Sequence, residues 1–103
     1  MFILYVLKSC PYCNNSLQVL KQNNIKHKAI IVENTFESKE YYKKQNGMNT
    51  FPQIFMQINK DHFLKIGGND DLIGIIEQCH NIKNSNVSLD SIYYMYQNLY
   101  GKK

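Results

Sequence analysis

The sequence contains no arginine, so its formal charge of +4 rests entirely on lysine. The lysines are scattered, with Lys21, Lys26, Lys28, Lys43, Lys44 and Lys65 in separate parts of the chain, and no block of them suits a phosphate backbone. Nucleic acid is therefore not an expected partner; a mildly basic surface favours small anionic substrates instead. Long hydrophobic runs are missing too. The longest, FILYVL at residues 2–7, is far too short to span a bilayer, and neither a basic flank nor a small-residue cleavage site accompanies it. No membrane partner is expected, and the default location is cytoplasmic. Cysteine is scarce: the three present cannot all pair, and a cytosolic chain does not keep structural disulfides. What the 103 residues do supply is 44% hydrophobic and 19% charged, the balance of one soluble globular domain with no room for a second core.

Along that domain, Phe2 to Leu7 is continuously apolar, as expected of a strand buried on both faces. Pro11 suits the first position of a helix in which Cys13, Leu17 and Leu20 share one side and which QNN at 22–24 closes. IKHKAIIV (25–32) is rich in β-branched residues and reads as a second strand. Asn34 followed by Glu37 resembles a capping box, opening a helix that ends near Gly47. QIFMQI (53–58) and HFLKI (62–66) flank a short polar turn and predict a β-hairpin. Gly67 and Gly68 then break the strand, and Asn69 can cap a helix with Asp70 and Asp71 at its positive end and Leu72, Ile73, Ile76 and Cys79 on one face. A last helix is expected over about 88–100. The order β-α-β-α-β-β-α-α predicts a single α/β domain.

CPYC at 10–13 places two thiols at the junction of the first strand and the first helix. A close C-x-x-C in a cytosolic chain points to redox chemistry or to a metal. Metal binding needs two more ligands, and Cys79, His80, His27 and His62 show no zinc-ligand spacing, so no metal site is expected. Redox chemistry needs only the helix. A sulfur at a helix start faces unsatisfied backbone N–H groups, and these together with the dipole favour thiolate over thiol. Cys10 therefore becomes the nucleophile, while Cys13, one turn inward, is placed to attack a mixed disulfide on Cys10.

Two further stretches share the chain with CPYC: TFPQIF at 50–55 and GGNDDL at 67–72. Together and in this order the three resemble the dithiol glutaredoxins, the glutathione-dependent branch of the thioredoxin fold, over about residues 2–80. The resemblance implies a mixed four-stranded sheet flanked by helices, with an additional C-terminal helix. Residues 1–103 then form one such domain, its core at about 2–80 and its added segment at about 88–100. It implies a cis bond before Pro52 that presents the Phe51 backbone to glutathione, with Thr50 beside it. It also implies a carboxylate held by the helix start at Gly68, Asn69 and Asp70, and Tyr12 flanking the sulfur. Most dithiol members carry a basic residue three positions before the first cysteine. Here Leu7 stands at that position and Lys8 follows, so Lys8 is the candidate for the glycine carboxylate, with Lys43 or Lys44 as substitutes. Phe51 replaces a smaller valine and narrows the groove.

The implied activity is that of a glutathione–disulfide oxidoreductase acting on glutathionylated or disulfide-containing proteins, with ribonucleotide reductase among the candidates. Glutathione is a cosubstrate, and no tightly bound cofactor is expected. Two alternatives stand beside it: an electron donor recycled by thioredoxin reductase, as in NrdH-like redoxins, and a glutathione-ligated iron–sulfur cluster module, which the proline within CPYC disfavours. Cys79 reads as an inert core thiol and the three histidines as surface residues. The tyrosines at 93, 94, 96 and 100 exceed what one helix face can bury, which leaves some of them for a partner surface.

Overall fold

The computed structural model describes residues 1–83, with side chains through Gln78. Seven elements follow in chain order: β1 (Phe2–Leu7), α1 (Pro11–Gln22), β2 (His27–Val32), α2 (Phe36–Asn46), β3 (Gln53–Asn59), β4 (His62–Gly67) and α3 (Asn69–Lys83). The four strands form one mixed sheet in the order β2-β1-β3-β4. β1 runs parallel to β2, with Phe2 opposite His27 and Leu7 opposite Val32. It runs antiparallel to β3, which turns back into β4 as the expected hairpin. The expected segment near 88–100, with its tyrosines, lies outside the described residues. Cys79 and His80 fall on α3 beyond the described side chains.

Strand alternation divides the sheet into two faces. Phe2, Leu4 and Val6 of β1 join Ile54 and Met56 of β3, Cys13 and Leu20 of α1, and Leu72, Ile75 and Ile76 of α3 in one buried cluster. The intervening Tyr5 turns the other way and meets Tyr42 of α2 at a ring separation of 5.3 Å and Phe55 edge-on at 6.0 Å. That second face is thinly covered, since α2 buries none of its residues fully.

Helix ends set the loops around the dithiol. Asn24 takes a left-handed conformation (φ 56°), its N–H donating to the Lys21 carbonyl and the Ile25 N–H to the Leu20 carbonyl. This is the double hydrogen bond that closes a helix most often at glycine, here achieved by asparagine. It takes Ile25 out of the strand, so β2 begins at His27 and not at residue 25; the Ile25 side chain instead plugs the core beneath α1. α2 is capped by Thr35, whose Oγ1 accepts from the Ser38 N–H at 3.2 Å, and not by Asn34. The two adjacent residues are nearly equal as caps, and only the backbone path selects between them. Gly47 ends α2 with φ 65°. Ser16, not Leu17, completes the buried face of α1 with Cys13 and Leu20.

Candidate active site

β1 runs out at Leu7, and the chain turns through Ser9, which holds a left-handed φ of 58°. Cys10 then becomes the N-cap of α1, with Pro11 at the first helical position, where no N–H is needed. The Cys10 carbonyl accepts the first helical hydrogen bond from the Asn14 N–H at 2.9 Å. Its Sγ accepts from the Cys13 N–H at 3.3 Å, so a cysteine sulfur occupies the place that a serine or aspartate oxygen takes in ordinary caps.

The two thiols are both free and are not equivalent. Cys10 is half-buried, whereas Cys13 is fully buried on the core side of α1. Burial pushes the Cys13 thiol up to about 12 from an ordinary 9.0, and hydrogen bonding with the Cys10 sulfur adds to the rise. Cys13 therefore stays protonated at neutral pH while Cys10 is the accessible sulfur.

Beside the dithiol lies an open cleft of about 300 Å³. Tyr12 forms one wall; Thr50, Phe51 and Pro52, joined through a cis Phe51–Pro52 bond, form the second; Gly68, Asn69, Asp70 and Asp71 at the start of α3 form the third. Seven residues singled out in the sequence thus share one cavity with Asp71, whose part had been assigned only to the helix dipole. Lys8 is exposed and does not line the cleft. Neither do Lys43, which pairs with Glu40 at 3.2 Å, or Lys44.

The α3 wall departs from expectation in its capping. Gly68 is the cap, its carbonyl accepting from the Leu72 N–H, and the Asp71 carboxylate reaches back to the Gly68 N–H at 2.8 Å. That is the return half of a capping box. Asn69 is already inside the helix. Its Oδ1 accepts from the Ser16 hydroxyl at 2.7 Å and from the Asn15 amide at 3.1 Å, which joins α3 to α1. The first-turn N–H groups of α3 have no partners within their own helix and suit an anion.

Gln53 was missed in the sequence. Fully buried directly after Pro52, it accepts from the Asn46 amide at 2.7 Å and donates to the Met48 carbonyl at 3.3 Å, bracing the loop that carries Thr50 and Phe51. Strand alternation gave no signal for it, because with Ile54 and Met56 facing the core position 53 falls on the other face, where a polar side chain is ordinary. His27 also differs from expectation, being half-buried with its ring Nδ1 2.7 Å from the Ile25 carbonyl. Among the described residues no cluster of three or more His, Cys, Asp or Glu could hold a metal ion.

Comparison with known proteins points the same way. The family model described as Glutaredoxin matches residues 2–63. Glutaredoxin 1 of Rickettsia typhi is 44% identical over 75 residues, covering 71% of this chain and 67% of its own length. The solution structure of a glutaredoxin from Brucella melitensis superposes with a TM-score of 0.60 at 27% identity, over 82% of this chain and 87% of that one. A buckwheat glutaredoxin–glutathione complex matches with a TM-score of 0.59 over 94% of this chain and 76% of that one, a likeness of fold alone at 15% identity. The sheet order and its three helices are those of the thioredoxin fold, and the glutaredoxin relatives imply a thiol oxidoreductase. Since the matching family model spans more than half the sequence, from the first strand through the dithiol to the cis-proline turn, the chain belongs to the glutaredoxin family.

Proposed function

We propose that the protein is a glutathione-dependent thiol–disulfide oxidoreductase that reduces glutathionylated proteins and protein disulfides. The observation that carries this reading is the single cleft in which Tyr12, the Thr50–Pro52 turn and the first turn of α3 meet beside the Cys10 helix cap. In this reading the Phe51 backbone pairs with the cysteinyl part of glutathione. The free N–H groups of α3 take the γ-glutamyl carboxylate, and Asp70 takes its amine. That the buckwheat neighbour was solved with glutathione supports glutathione as the ligand, not the part given to each residue.

The Cys10 thiolate attacks the glutathione sulfur of a mixed disulfide, and the substrate protein leaves as its thiolate. A second glutathione thiolate then attacks the bound glutathione sulfur, releasing glutathione disulfide and restoring Cys10. In the dithiol route, Cys13 attacks the Cys10 sulfur, expels the partner thiolate and closes an internal disulfide that two glutathiones later reduce. Ribonucleotide reductase remains a candidate among the disulfide substrates. Residues 1–103 act as one domain whose chemistry is carried by about 2–80. A dithiol that has to be kept reduced suits the cytoplasm, the location this reading takes; among the described residues no helix is long and apolar enough to cross a membrane.

Coupling the protein separately to glutathione with glutathione reductase, and to thioredoxin reductase, tests the reading. Turnover of a glutathionylated peptide in the first system is expected. Turnover only in the second would replace glutathione by thioredoxin reductase as the electron source.

A further inference from the structure

Ser16 is fully buried, yet it lies on the face of α1 that otherwise carries Cys13 and Leu20. A buried hydroxyl without a partner is costly, and this one donates to the Asn69 Oδ1 at 2.7 Å. The same oxygen accepts from Asn15, so both its acceptor positions are filled by α1. The linkage is specific in what it connects. Ser16 sits one helical turn beyond Cys13, on the helix capped by Cys10. Asn69 is the first residue of α3 and part of the cleft wall. Apolar packing between two helices tolerates small axial slips, whereas a short hydrogen bond from the middle of α1 to the first residue of α3 fixes the register.

We infer that the Ser16 hydroxyl is a positioning group, holding the α3 wall of the cleft at a set distance from the dithiol through Asn69. The role deepens the glutathione reading above and rests on it. Asn69 then serves the cleft with its backbone N–H, while its side chain is committed to α1. Ser16 itself touches neither the cleft nor the sulfurs' reaction partner.

Such a group affects how well the bound glutathionyl moiety is aligned, not how the free Cys10 sulfur reacts. With a glutathionylated peptide as substrate, Ser16→Ala is expected to raise KM roughly three- to tenfold, the range one neutral hydrogen bond can supply. kcat should change less than twofold, and alkylation of Cys10 by iodoacetamide should keep its wild-type rate. Asn15→Ala, an exposed substitution that removes the weaker donor, should raise KM by a smaller factor. An unchanged KM in both variants, with or without a lower melting temperature, reduces the contact to a structural one and overturns the inference. Slower alkylation in step with lost turnover also overturns it, because the effect would then run through the dithiol. If the wild-type rate itself fails to saturate with the glutathionylated peptide, the glutathione reading falls and takes the positioning role with it. Saturation in the wild type with no change in Ser16→Ala sinks the positioning role alone.

Discussion

The Asp71 carboxylate folds back onto the Gly68 N–H at 2.8 Å and, in doing so, occupies the space beside Gly67 where a side chain would point. Gly67 also holds a φ of 127°, which L residues rarely adopt. The di-glycine turn is thus dictated by the cap that opens α3. Gly67→Ala should lower stability by about 1–3 kcal/mol, read from urea unfolding. A change within a few tenths of wild type would show that the turn relaxes freely.

Cys13 gives a pH signature. Its folded-state thiol titrates at about 12 against 9.0 ordinarily, so the unfolded chain releases this proton first as pH rises. The contribution to stability is complete below pH 9 and is lost between pH 9 and 12. The urea midpoint of the reduced protein should fall across that window. In Cys13→Ser, whose hydroxyl does not ionise there, the fall should be shallower. Parallel curves for the two proteins would contradict the burial argument, since lysines and tyrosines titrate equally in both.

The two cysteines should separate by function. Cys10→Ser retains a good helix cap, because serine is among the preferred N-cap residues, so the variant should fold while its thiol-exchange activity drops to background. Cys13→Ser should keep or increase deglutathionylation, since glutathione can still resolve the Cys10 mixed disulfide. Reduction of disulfides that need internal ring closure should fall sharply. The opposite pattern in paired glutathionylated-peptide and protein-disulfide assays would exchange nucleophile and resolver.

Asp70 is exposed at the cleft, so the contact proposed for it with a bound amine is partly screened by water. Asp70→Ala is expected to cost at most about 1.5 kcal/mol, or about tenfold in KM for glutathionylated substrate, with less effect at high salt. An unaltered KM removes Asp70 from the site.

Much of this arrangement was legible in the sequence because its signals are local. The apolar run of β1, Pro11 after Cys10 and the paired glycines each specify backbone without distant help. The departures arise where distant residues compete for one group. Asn69 has the chemistry of a cap, but a buried Ser16 hydroxyl from 53 positions away claims its oxygen, and the capping passes to Asp71. Ile25 looks like a strand residue until the closing turn of α1 directs it into the core. Gln53 shows its purpose only when Asn46 and the Met48 carbonyl are brought to it. Lys8 is close to the dithiol along the chain, which says nothing about which way an exposed side chain faces.

The sulfur to which the proposed mechanism gives the attack is also the atom that caps its own helix. In that mechanism each cycle weakens the cap of α1 when Cys10 becomes bonded to another sulfur, a poorer acceptor, and restores it when the free sulfur returns. A good cap stabilises a helix by about 1 kcal/mol, and the reduced state holds the larger share of it. Folding and reduction are coupled through one hydrogen bond. The stronger the Cys10 cap is in the reduced state relative to the disulfide, the more readily the disulfide form accepts electrons, and the start of a helix becomes part of the driving force of the reaction.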